Sequence, residues 1–148
     1  MRVRTDRVER FSCDPEELWA RIVRVDRYAA WWPWLREFDG ERVAAGEVWR
    51  CHVRPPAPYS VRFTISIDQA DPPTSVSAHL DGDIVGRATL QLDAEGSGSR
   101  LRLVSDLTPA SRPLRALAVV AFPLTRWSHD AILDAGVRQF REASAPIS

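Results

Sequence analysis

The chain contains no lysine. All 20 of its basic residues are arginine, matched by 20 Asp and Glu, so the formal net charge is zero. Without a basic excess it lacks the electrostatic footprint of a nucleic-acid binder, and no nucleic acid is expected as a partner. The missing lysine itself reads as a GC-rich coding genome, because Arg codons are GC-rich and Lys codons are not. Cysteine is scarce: Cys13 and Cys51 lack CxxC spacing and read as two reduced, buried thiols. The histidines His52, His79 and His129 lie far apart with no HxxxH pair, so no metal is expected. There is no GxxxxGKS/T, no GxGxxG after a strand and no GxSxG, and no cofactor is expected. The start MRVRTDRVERF has no apolar core of a signal peptide, and no apolar run reaches about 18 residues. A cytoplasmic protein with no membrane span is the expectation.

What is present is an ordinary globular composition, 45% hydrophobic and 27% charged, over 148 residues. That length is enough for a single domain over residues 1–148 with a substantial core. Tryptophan is abundant at six, and Trp19, Trp31, Trp32 and Trp34 cluster near one another, a supply of large aromatics suited to apolar walls. Residues 2–12 read as a first strand. Asp14-Pro15-Glu16-Glu17 is a helix start, with Asp as N-cap, Pro at the first helical position and Glu closing a capping box. Leu18, Trp19, Ile22 and Val23 form the buried face of that helix, which runs to about Arg24. A second short helix, DRYAAWW, begins at Asp26 and stops at Pro33.

From Leu35 to Thr108 the chain reads as strands separated by turn residues. Gly40 and Gly46 flank the second strand. The others cover Glu47–Arg54, Tyr59–Asp68, Ser75–Asp81, Asp83–Asp93 and Arg100–Thr108. Hairpin-linked strands imply an antiparallel sheet with one covered face. Alternation places Trp49, Cys51, Val53, Tyr59, Val61, Phe63, Ile65, Ile67, Val76, Ala78, Leu80, Ile84, Gly86, Ala88, Leu90, Leu92, Leu101, Leu103 and Leu107 on the inward face. Arg50, His52, Arg54, Arg62, Thr64, His79, Arg87, Thr89, Arg100 and Arg102 fall on the solvent face. Asp83 and Arg87 read as a surface ion pair.

Residues 112–143 read as one long C-terminal helix, broken near Phe122-Pro123. In its second half His129, Ile132, Leu133, Gly136, Val137 and Phe140 recur at the spacing of one helical face, so a histidine stands on an apolar stripe.

Several motifs now converge. Asp14 to Trp19, Asp26-Arg27-Tyr28 through Trp32-Pro33-Trp34, Gly82-Asp83-Ile84-Val85-Gly86, and Ser128-His129-Asp130 with Gly136 together resemble the START/Bet v 1-like superfamily. Within it, they resemble the bacterial polyketide cyclase/dehydrase and lipid-transport branch. The resemblance implies an α+β helix-grip fold: a seven-stranded curved antiparallel sheet around the C-terminal helix, with two short helices after the first strand. It also implies a deep cavity between sheet and helix. The inward list is compatible, because its lining is almost wholly apolar and Gly86 and Ala88 leave room. A solid core built from the same residues is the competing picture.

Candidate ligand-binding residues are Trp32, Trp34, Trp49, Tyr59, Val61, Phe63, Ile65, Gly86, Ala88, Leu103, Ser105, Trp127, His129 and Leu133. His129 and Tyr59 are the candidate acid/base pair. Ser105 and Ser128 are smaller polar candidates. Aromatase/cyclases of the superfamily tend to carry an arginine or other polar group on the strand that here points only Val61, Phe63, Ile65 and Ile67 inward beyond Tyr59. Arg62 falls on the solvent face. Three readings therefore stand. The first is a binder of a small hydrophobic molecule, such as a polyketide, aromatic, lipid or isoprenoid, acting as monomer or homodimer. The second is a cyclase, aromatase or dehydratase, and the third is a protein-interaction module using the Arg-rich outer sheet face.

Overall fold

The computed structural model describes residues 2–54, 60–112 and 134–141. Seven antiparallel strands form one sheet: β1 (Val3–Phe11), β2 (Leu35–Phe38), β3 (Val48–Val53), β4 (Val61–Asp71), β5 (Ser75–Gly82), β6 (Ile84–Glu95) and β7 (Gly98–Pro109). Their order across the sheet is β1-β7-β6-β5-β4-β3-β2, so the chain's first strand lies beside its last. Helices α1 (Pro15–Ile22) and α2 (Tyr28–Trp31) follow β1, with a 3-10 turn, Val25–Arg27, between them. Residues 134–141 form a further helical segment, α3. Of the long helix expected over residues 112–143, this segment is the substantial described part. The expected break at Phe122-Pro123 lies outside the described residues.

Local chemistry explains the helix start. The Asp14 carboxylate accepts from the Glu17 amide at 2.8 Å, Pro15 holds the first helical position, and Glu17 and Arg21 pair one turn apart at 2.8 Å. The helix presents Leu18, Trp19 and Ile22 to the core, and Leu18 is 0% exposed.

The second strand departs from expectation. It occupies Leu35–Phe38, before Gly40, and residues 41–45 form no strand. The segment is used otherwise: the Arg42 carbonyl accepts from Trp49 Nε1 at 3.0 Å, and the Glu47 amide donates to the Ala44 carbonyl at 3.1 Å. A backbone committed to capping an indole and closing a turn is not free for a ladder. The fourth strand runs on to Asp71, with a bulge between Ile67 and Gln69 that lets Ala70 rejoin the inner face opposite Val76.

Two apolar clusters pack on the inner face. One holds Val25, Tyr28, Leu35, Trp49, Cys51, Val53, Ile67 and Ala78; the other holds Leu18, Trp19, Ile22, Leu92 and Phe140. Trp31, Trp32, Val43 and Val76 pack against both. Burial pushes the Cys51 thiol up to about 12, and burial also raises Cys13. Little thiolate therefore exists at ordinary pH. Cys51 in the folded protein is expected to react with a disulfide reagent at pH 8 on the order of 100-fold more slowly than in guanidinium. Equal rates, read from the released thiol chromophore, would show that the cluster around it is open.

Candidate functional site

Directly paired residues on neighbouring strands share a face, so the pairing register resolves the inner face into transverse rows. One row runs Val3, Leu107, Gly86, Leu80, Ile65 and Trp49. The next runs Thr5, Ser105, Ala88, Ala78 and Ile67. A third runs Arg7, Leu103, Leu90, Val76 and Ala70. The middle row is built from small side chains on four consecutive strands, and the side chains flanking it are larger except at Gly86, beside Ala88. We call this row of small residues the trough: Thr5, Ser105, Ala78 and Ile67 in it are buried, and Ala88 keeps accessible surface.

Exposure along this face is uneven. Trp49, Cys51, Val53, Val61, Ile67, Ala78, Leu80 and Leu92 are buried, as the alternation requires. Phe63, Ile65, Gly86, Ala88, Leu90, Leu101, Leu103 and Leu107 keep accessible surface although they share that face. The predicted ligand-binding residues thus divide. Ile65, Ala88, Leu103 and Ser105 meet at or beside the trough. Val61 lies away from it, opposite Val53. Trp49 is 8% exposed, with its indole nitrogen already bonded to the Arg42 carbonyl.

At Gly86 the backbone φ is +152°, and a Cβ there would meet the Asp106 carbonyl oxygen at 1.9 Å. The missing side chain makes way for the neighbouring backbone, so no side chain can be placed here without moving β7.

Trp32 and Trp34 act as much on the helix as on any wall. Their rings stack with centroids 5.5 Å apart. Trp32 Nε1 donates to the Gly136 carbonyl at 3.0 Å, and Trp34 Nε1 donates to Gln139 Oε1 at 3.1 Å. Both indoles pack close to Gly136, and a Cβ there would lie in ordinary contact with the Trp34 ring at 3.5 Å. Tyr59, Trp127, Ser128, His129 and Leu133 lie outside the described residues.

The structure also adds inner-face residues that the alternation of β4 to β7 did not name. On β1, Val3, Thr5, Arg7, Glu9 and Phe11 share one face, while Arg4, Asp6, Val8 and Arg10 are exposed. Thr5 is 9% exposed and Ser105, directly opposite it, 6%. Thr5 Oγ1 has no hydrogen-bond partner among the described residues. Arg7 donates to Glu9 at 2.9 Å and to Asp134 of α3 at 2.5 Å. Burial works to lower the Arg7 pKa, but its bonds to Glu9 and Asp134 outweigh this and the net direction is up. Arg141 reaches Glu9 at 3.4 Å and the Arg10 carbonyl at 2.7 Å, and lies 4.4 Å over the Phe11 ring. Two cations and two carboxylates thus neutralise one another where α3 meets the edge strand. Val3 and Phe11 have the same parity as Thr5, Arg7 and Glu9, but apolar Val8 has the opposite one, so alternation alone leaves the facing of β1 open.

Much of the charge on the outer face is internally paired. Asp39 takes the Arg50 amide at 2.6 Å and its guanidinium at 2.8 Å, Asp6 takes Arg102 at 2.6 Å, and Glu37 meets Arg62 at 3.4 Å. Hydrogen bonding from the Arg50 amide holds Asp39 below the usual carboxylate range, and the Arg102 guanidinium does the same for Asp6. Asp83 does not form the expected pair with Arg87; it accepts from the Arg62 amide at 2.8 Å. His79 lies on this face beside Asp68 at 2.7 Å. His52 is on the predicted face without being solvated. Its side chain is 15% exposed, because Glu37 and Arg62 stand directly opposite on the two adjoining strands.

A seven-stranded antiparallel sheet with an apolar inner face, two short helices after its first strand and a helical segment near the C-terminus defines the START and Bet v 1-like class. Solved structures agree on that fold. The Zhui aromatase/cyclase from Streptomyces sp. R1128 superposes with a TM-score of 0.78 at 13% identity, covering 97% of this chain and 94% of the other. A conserved protein from Geobacillus kaustophilus gives 0.76 at 7% identity, over 96% and 95%. A START superfamily protein from Mycobacterium smegmatis gives 0.72 at 10% identity, over 95% and 96%. No curated protein matches the chain in sequence. The family model for polyketide cyclase / dehydrase and lipid transport matches residues 2–144, and the chain belongs to that family. Among the described residues, no helix is long and apolar enough to cross a membrane.

Proposed function

We propose that the chain binds a small hydrophobic molecule, of polyketide, aromatic, lipid or isoprenoid character, against the inner face of its sheet. One observation carries the reading: Phe63, Ile65, Ala88, Leu90, Leu103 and Leu107 retain accessible apolar surface between two buried clusters. A filled core leaves no such surface, whereas apolar lining with few polar groups suits a hydrophobic ligand. Family membership supports the same reading, since the family is described by cyclase, dehydrase and lipid-transport activities. The inner side of β4 offers only hydrocarbon at Val61, Phe63, Ile65 and Ile67. If turnover occurs, proton transfer falls to His129 and Tyr59. The paired charges of the outer face favour a solvated surface over a docking patch.

The test is binding of the neutral, environment-sensitive dye Nile red, followed by fluorescence. Micromolar-scale binding is expected, and Ala88→Phe should weaken it severalfold while shifting stability by less than the roughly 1–3 kcal/mol of overpacking a filled core. Unchanged dye binding together with a large loss of stability would mean that the trough is solid.

A further inference from the structure

The trough ends in an unusual feature for an apolar floor. Its last two members are hydroxyl residues on paired strands, Thr5 and Ser105, and both are more than nine-tenths buried. Thr5 Oγ1 has no hydrogen-bond partner among the described residues. A buried hydroxyl left unpaired keeps its desolvation penalty with no bond to offset it. Valine has the same shape and would carry no such penalty. The neighbouring row supplies the second constraint. Arg7, two residues along β1, is engaged by Glu9 and Asp134, and Arg141 completes a neutral group of two cations and two carboxylates. No uncompensated cation among these groups faces the trough.

Building on the ligand-binding reading above, we propose that the Thr5–Ser105 hydroxyl pair is the polar contact of the site, and that its ligand is a neutral hydrophobic compound carrying a ketone, phenol or alcohol oxygen. A hydroxyl can donate to a carbonyl or accept from a phenol, so the pair serves either oxygen. A flat ring seated on Ala88, the member of the row that keeps accessible surface, would direct its oxygen along the row toward Ser105 and Thr5. A carboxylate is disfavoured, because the arginine that would receive it is already neutralised.

The test is displacement of Nile red by three probes of similar shape: 2-naphthol, 2-methylnaphthalene and 2-naphthoate. In the wild-type protein 2-naphthol is expected to bind most tightly. Thr5→Val should weaken 2-naphthol about 3- to 10-fold, the loss of one hydrogen bond, and leave 2-methylnaphthalene unchanged. Ser105→Ala should act in the same direction. Thermal melts accompany the titrations, and Thr5→Val should melt at or above the wild-type temperature, since it removes an unpaired buried hydroxyl. Equal affinity for 2-naphthol in wild type and both variants overturns the proposal while leaving the ligand-binding reading intact. Preference for 2-naphthoate, or a clear drop in the melting temperature of Thr5→Val, also overturns it, the latter by assigning the hydroxyl to the fold. Failure of Nile red and all three probes to bind overturns the ligand-binding reading and this proposal with it.

Discussion

Gly86→Ala is expected to destabilise the protein by about 3–5 kcal/mol, the sum of backbone strain and a hard steric conflict. A methyl group at this position would meet the Asp106 carbonyl oxygen at 1.9 Å, and the backbone φ of +152° is one that side chains rarely adopt. Neither problem has a soft solution, because the obstacle is the backbone of the paired strand and not the end of a flexible side chain. β6 and β7 form the longest strand pair in the sheet, so separating them there disturbs the trough as well. For a domain of this size the melting temperature should fall by roughly 10 °C or more. Calorimetry of Gly86→Ala beside Ala88→Ser, a change of similar size two residues away, isolates the backbone effect. A melt within a degree or two of wild type would show that the strands can separate locally without loss.

Phe140→Ala carries the next largest expected loss, about 3–4 kcal/mol for a buried phenylalanine. Phe140 is 7% exposed in the cluster of Leu18, Trp19, Ile22 and Leu92. Its ring meets Phe11 and Trp31 edge-on, with centroids 5.8 Å and 5.3 Å away. The same segment is also tied down by the Arg7–Asp134 ion pair, but Asp134 is 66% exposed, and pairs of that kind contribute about 0–1 kcal/mol. Packing should therefore dominate. Urea titrations of Phe140→Ala and Asp134→Ala compare the two directly. Similar losses would mean that charge, not the aromatic contact, holds α3 against the sheet.

The sheet was legible in the sequence because five of its strands alternate cleanly, and one run of apolar residues with the right parity fixes the facing of the next. Ser105 was found in this way. Thr5, Arg7 and Glu9 were not, because β1 is an edge strand with a mixed inner face and exposed Val8 on the outside. Hydrophobicity there points both ways, and only pairing with β7 decides it. Gly86 is a different case: composition reports a missing side chain, and only the backbone angle shows that a neighbouring carbonyl stands where its Cβ would be. The second strand was misplaced because apolar residues between two glycines resemble a strand until the Trp49 indole is seen to take the Arg42 carbonyl.

The sheet order also governs how the chain assembles. β1 precedes the other strands, yet among the described residues its sole strand partner is β7, with Val3 opposite Leu107. The hairpins from β3 to β7 join neighbours in sequence and close short loops, whereas β1 must span almost the entire domain to find its place. Loop-closure entropy and the dependence of folding rate on contact separation put that step late. During synthesis the first strand leaves the ribosome with no strand to join until the last has followed it. Its alternating Arg, Asp and Glu side chains keep that waiting edge soluble and discourage pairing with another chain.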